Sequence, residues 1–136
     1  TTIVELLIDR KFDINARDDS EWTPLHWAAS EDHVDTAQLL VKRGAEFGEN
    51  NHDGETVLHT AANYHHFSVV KFLVERCGVD VDARDDVQQT PLHLAANCGA
   101  FDVAELLIDY GADVYALDKD QQTPLQMAAE KSWNER

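Results

Sequence analysis

Four short strings recur in phase along the chain: Thr23-Pro24-Leu25-His26, Thr56-Val57-Leu58-His59, Thr90-Pro91-Leu92-His93 and Thr123-Pro124-Leu125-Gln126. Their starts lie 33, 34 and 33 residues apart. One residue after each string comes an alanine pair: Ala28-Ala29, Ala61-Ala62, Ala95-Ala96 and Ala128-Ala129. Val4-Glu5-Leu6-Leu7-Ile8-Asp9 is nearly copied at Val103-Ala104-Glu105-Leu106-Leu107-Ile108-Asp109, and Ala16-Arg17-Asp18-Asp19 returns as Ala83-Arg84-Asp85-Asp86. A fixed period of about 33 residues constrains the fold more than any other feature. One such unit cannot bury its apolar face alone, so like units must stack.

The physics of one period can be read directly. Threonine accepts from the first free N–H groups of a helix, and the proline that follows has no N–H to lose. Paired alanines let neighbouring helices approach closely. A Gly or polar break precedes a second helix carrying apolar residues at helical spacing, as in Val69-Val70-Phe72-Leu73. Gly44-Ala45 and Gly111-Ala112-Asp113 end such helices, where glycine suits the left-handed position. Polar turn-forming runs such as Asp118-Lys119-Asp120 lead to the next threonine.

This combination of period and Thr-Pro-Leu-His motif resembles the ankyrin-repeat family, over essentially the whole chain. The resemblance implies an all-α solenoid of helix-turn-helix units joined by β-hairpin loops. The register gives three full units, 18–50, 51–84 and 85–117, flanked by partial units at 1–17 and 118–136. Neither partial unit carries a polar cap, so a longer parent protein is expected. Several family glycines are replaced. Gly54 keeps the hairpin glycine where Glu21, Gln88 and Gln121 stand elsewhere; Gly99 keeps the inter-helix glycine where Asp32, His65 and Ser132 stand. A side chain at positive φ costs roughly 1 kcal/mol, so these substitutions question local turn geometry. Lys11-Phe12 replaces Gly-Ala, and the 34-residue unit carries one extra residue around Arg76-Cys77-Gly78.

Composition narrows the function classes. Apolar residues make up 43% and charged residues 27%, a globular mixture, while 26 acidic against 11 basic residues leave a formal charge of −15. Such a chain repels phosphate backbones and anionic membranes and favours a basic or mixed basic and apolar protein surface. Apolar runs are short and broken by charge, so no membrane-spanning helix is expected. Two cysteines, Cys77 and Cys98, match neither a disulfide framework nor a zinc pattern and favour a reducing compartment, cytoplasmic or nuclear. A monomer is expected.

No catalytic constellation is visible, and neither a cofactor nor a metal is expected. The resemblance implies that His26, His59 and His93 bridge the turns of adjacent units. His65 and His66 are neighbours and cannot both face one metal from a helix. Asp18-Asp19 and Asp85-Asp86 lack the alternating ligands of a calcium loop and read as solvated turns. The spacing of Leu7 and Asn15 resembles that at which asparaginyl hydroxylases modify ankyrin hairpins, which makes Asn15 a candidate modification site.

The resemblance also implies where a partner sits: on the concave face, at hairpin tips and first-helix ends. By register the tips are Arg17, Asp19, Ser20 and Trp22; Asn50, His52, Asp53 and Glu55; Arg84, Asp86, Val87 and Gln89; Leu117, Lys119, Asp120 and Gln122. The helix positions are Ser30 and Glu31, Asn63 and Tyr64, Asn97 and Cys98, Glu130 and Lys131. Trp22 and Tyr64 are the expected anchors, since large aromatics favour binding hot spots; Val87 and Leu117 add apolar area within a ring of carboxylates. Trp27, in register with Thr60, Leu94 and Met127, is expected in the core. The function expected is an adaptor or recognition module, with a regulatory segment of a larger enzyme or channel as the alternative.

Overall fold

A computed structural model describes residues 3–131 of the chain. Ser132, the fourth inter-helix position, lies outside the described residues. First helices are α2 (Pro24–Ser30), α4 (Val57–Asn63), α6 (Pro91–Cys98) and α8 (Pro124–Lys131). Second helices are α1 (Ile3–Asp9), α3 (Val34–Lys42), α5 (Phe67–Phe72) and α7 (Phe101–Asp109). First helices stack in one layer, α2 on α4 on α6 on α8, and α3, α5 and α7 stack in the other.

Each first helix begins at its threonine for a physical reason. Thr23 Oγ1 accepts the His26 N–H at 3.3 Å, and His26 Nδ1 accepts the Thr23 N–H in return. The same reciprocal cap closes α4 and α6. At α8 glutamine does the histidine's work: Gln126 Oε1 accepts the Thr123 N–H at 2.8 Å. With Nδ1 accepting, the histidine Nε2–H is free to donate across the unit boundary. His26 reaches Glu55 O at 3.0 Å, His59 reaches Gln89 O at 2.8 Å and His93 reaches Gln122 O at 2.9 Å. The bridging role implied by the resemblance is present three times over.

Every described position where a side chain replaces a family glycine takes the left-handed conformation. Glu21, Gln88 and Gln121 lie at φ 62, 65 and 64°, Asp32 and His65 at 57 and 58°, and Lys11 at 66°. The turn geometry is therefore kept and the strain carried. Gly54 shows why one glycine is retained: a Cβ there would stand 2.4 Å from Asp86 Oδ1 and 2.9 Å from Asp86 N. The 34-residue period has a local solution as well. After Phe72 the helix widens into a π-helical turn over Leu73–Cys77, closed by Gly78 at φ 64°, so the extra residue loops out without shifting the register.

The connecting tips turn back on themselves without extended strands. No β-strand occurs among the described residues. Each tip folds on itself, as in Asp18 N to Trp22 O at 3.0 Å, and touches the next through a single backbone bond: His52 N to Ser20 O, Asp86 N to Asp53 O and Lys119 N to Val87 O. One bond per junction is too short a ladder for a strand. The first acidic or amide residue of each tip is a backbone acceptor, buried in three of the four tips and exposed at Asp18. Oδ1 of Asp18, Asn51, Asp85 and Asp118 accepts two backbone N–H groups each, two and four residues ahead. Asn51, Asp85 and Asp118 are buried. These side chains build the tips, which explains the Asp-Asp repetition without a calcium ion.

Candidate functional site

The tips and first-helix ends converge on one concavity at the first unit. A cavity of about 380 Å³ is lined by Asp18, Ser20, Trp22, Trp27, Ser30, Glu31 and Tyr64. Five of these, Ser20, Trp22, Ser30, Glu31 and Tyr64, are positions named from register. Asp18 and Trp27 were not among them.

Trp27 is the main correction. Instead of joining the core it is 51% exposed, whereas Leu94 and Met127 at the same register are 6% and 7% exposed and Thr60 is 2%. The cause is position in the stack. α4, α6 and α8 each have a first helix before them, and among the described residues α2 has none. Trp27 therefore turns onto the face. Its indole N–H donates to Asp18 Oδ2 at 2.9 Å, and its ring meets Trp22 with centroids 4.7 Å apart and planes tilted by 48°. Trp22 is only half-buried and also contacts the His26 ring at 5.9 Å. The N–H of Trp22, together with those of Trp27 and Ser20, holds the Asp18 carboxyl below its ordinary pKa. Asp18 is thus an exposed carboxylate fixed by three N–H groups, one of them the Trp27 indole.

The opposite wall comes from the second unit. Tyr64, 49% exposed at the end of α4, lies 6.1 Å from the His66 ring and nearly parallel to it. His66 Nε2 bonds to Ser30 O at 2.9 Å, which ties that wall to the end of α2. Glu31, exposed at the C-terminal end of α2, carries the second carboxylate of the rim. The first two units are therefore linked beside the cavity by the His66–Ser30 hydrogen bond, with Tyr64 stacked on the same imidazole.

The remaining predicted positions follow the tips away from this cavity. Asp19, His52, Asp53, Asp86, Val87, Leu117, Lys119 and Asp120 are exposed, as are Asn63, Glu130 and Lys131 on the first-helix row. Glu55, Gln89, Gln122, Asn97 and Cys98 are half-buried. Arg17 and Arg84 serve the scaffold too: Arg17 Nη1 donates to Asn50 O and Arg84 Nη1 to Leu117 O, each at 2.6 Å, and Arg17 also pairs with Glu49. Asn15 Oδ1 accepts the Glu46 N–H at 2.9 Å, matching the bond from Asp113 N to Asp82 one pair of units later.

Several titratable groups are taken up by the scaffold. Burial pushes both the Cys77 and Cys98 thiols up, so neither is an activated nucleophile. Burial pushes His26 and His59 down, which keeps them neutral in their bridges. His65 is drawn to Asp102 at 2.7 Å rather than toward a shared metal with His66. No group of three or more potential metal ligands clusters among the described residues, and no helix among them is long and apolar enough to cross a membrane.

Comparison with known proteins agrees with this architecture. The family model described as ankyrin repeats, three copies, matches residues 1–85, 44–118 and 77–135. Human protein phosphatase 1 regulatory subunit 27 is 42% identical over 52 residues, 38% of this chain and 34% of that protein. Human ankyrin repeat domain-containing protein 49 is 44% identical over 46 residues, 34% of this chain and 19% of that protein. Alpha-latrocrustotoxin-Lt1a of Latrodectus tredecimguttatus is 44% identical over 45 residues, 32% of this chain and 3% of that protein. The chain thus aligns with about a third or less of the length of each of these relatives. Repeats of this kind are in general protein–protein interaction modules, and the match along the whole repeat register establishes that this chain belongs to the ankyrin-repeat family.

Proposed function

We propose that this chain binds a partner protein on the face made by its tips and first-helix ends, as an adaptor or recognition scaffold. The observation that carries the reading is the aromatic cavity of Trp22, Trp27 and Tyr64 between the first two units. Large aromatics that are half out of the core and held in fixed orientations bind without much further loss of side-chain entropy. Exposed Asp19, Glu31, Asp53, Asp86 and Asp120 on the same row suit a basic partner segment, and exposed Val87 and Leu117 suit apolar contacts farther along. Half-buried Glu55, Gln89, Gln122 and Asn97 offer rim contacts.

The test is quantitative capture. Trp22→Ala combined with Tyr64→Ala keeps the helical signal and weakens capture of specific partners at least about tenfold, equivalent to about 1.4 kcal/mol. Undiminished capture by the folded double variant sinks the assignment. Association also slows as salt rises if the carboxylates steer the encounter.

A second reading has its own observation. The chain aligns with at most about a third of each relative described above, and one of them is named as a regulatory subunit. This chain then acts as the partner-holding segment of a larger assembly that includes an enzyme or channel, with the same face as its contact.

A further inference from the structure

The walls of the cavity at the first unit are chemically specific, and they say what part of a partner enters it. Resting on the reading that this face holds a partner protein, we propose that the cavity takes an N-methylated lysine side chain that keeps at least one N–H. Three features lead there. Trp22 and Trp27 meet at 48° with centroids 4.7 Å apart, which makes a corner of two indoles rather than a flat patch. Tyr64 faces that corner from the next unit across a cavity of about 380 Å³ and is in ring contact with neither indole, so the space between the walls is open to a side chain. Carboxylates of Asp18 and Glu31 complete the lining.

Aromatic faces attract cations through the ring quadrupole, and the attraction grows when the cation is weakly hydrated. N-methylation of lysine lowers the hydration of the ammonium while keeping its charge, so the aromatic corner prefers the methylated form. A neutral apolar side chain gains nothing from the two carboxylates. An arginine guanidinium stacks flat on one ring, whereas the angled walls suit a compact, rounded cation. The carboxylates divide their roles. Asp18 already accepts from Trp27 Nε1, Ser20 N and Trp22 N, so it sets the local potential and the indole orientation. Glu31 is exposed on the rim and forms no ion pair among the described residues, so it is the acceptor for a ligand N–H. A trimethylated lysine has no N–H to give it; a dimethylated one has one.

The experiment is a titration of the folded chain, followed at the indole N–H resonances of its tryptophans. The probes are Nα-acetyl-lysine amides with none, two or three Nε-methyl groups, and the neutral norleucine amide. The expected result is a saturable shift of the Trp22 and Trp27 signals. The dimethyl amide binds about threefold or more tighter than the unmodified and trimethyl amides, with no saturable shift from norleucine. Trp27→Ala abolishes the shift at Trp22, and Trp27→Phe retains part of it. Glu31→Ala, at an exposed position, leaves no side-chain acceptor there and removes the preference for dimethyl over trimethyl. Equal binding of unmodified and dimethyl amides, or equal shifts from norleucine, overturns the proposal. Unchanged preference in Glu31→Ala overturns the role of that carboxylate. If the amides fail while the Trp22→Ala, Tyr64→Ala variant still loses its partners, the binding face stands and only the identity of the inserted side chain falls.

Discussion

Trp27 and Leu94 occupy the same place in two copies of one repeat, yet one stands 51% exposed and the other 6%. The local sequences barely differ, His26-Trp27-Ala28-Ala29 against His93-Leu94-Ala95-Ala96. What differs is the neighbour: among the described residues α6 is flanked by first helices on both sides, and α2 by one. The far end mirrors this. Leu125 of α8 is 76% exposed, while its counterparts Leu25, Leu58 and Leu92 are at most 3% exposed. In a stack, then, the repeat motif fixes the backbone, and position along the stack fixes what each side chain does. A residue that is buried in the middle of the stack stands exposed at the first described unit.

The sharpest way to break this comparison is to truncate the same leucine at both places. Leu58→Ala removes a fully buried side chain and is expected to cost about 2–5 kcal/mol, whereas Leu125→Ala is expected to cost less than about 0.5 kcal/mol. Urea unfolding followed by circular dichroism reads both. Equal losses would mean that the far-end leucine is covered after all.

Acidification acts next, through the interior bridges. His26 and His59 have proton affinities lowered by burial, while in the unfolded chain each titrates near 6.5. Below about pH 6.5 the unfolded chain therefore binds more protons than the native one. Stability is full above that pH and falls as pH drops, by up to about 1.4 kcal/mol per pH unit for each histidine. Unfolding midpoints measured from pH 7.5 down to the region above carboxylate titration check this. His59→Gln, which copies the cap that Gln126 makes at α8, is expected to flatten the slope. A stability that stays level through pH 6 contradicts the assignment of neutral, buried imidazoles.

Much of this was readable beforehand, for definable reasons. The threonine caps, the histidine bridges and the left-handed turn positions depend on contacts within three or four residues or one period away, and the repeat encodes both distances. Even the strained turns at Glu21 and Gln88 follow from register alone. The roles of Asp18, Asn51, Asp85 and Asp118 were hidden because an acidic tip residue reads equally as solvated or as a backbone acceptor. Trp27 was misplaced because averaging over copies assigns it the burial of Thr60, Leu94 and Met127, and the averaging is blind to which copy comes first. Two tryptophans five positions apart, in the first full unit only, were the available clue. Trp22 and Tyr64, the two aromatics that register puts on the face, both line the cavity, because neither position is covered by a neighbouring first helix.

The most direct test therefore bears on Trp27 itself, with stability and partner capture measured on the same Trp27→Ala preparation. The account predicts an unfolding free energy within about 1 kcal/mol of the parent chain, as for a surface substitution, together with a clear loss of partner capture. A loss of stability as large as that of Leu58→Ala, with capture unchanged in the fraction that remains folded, would contradict it.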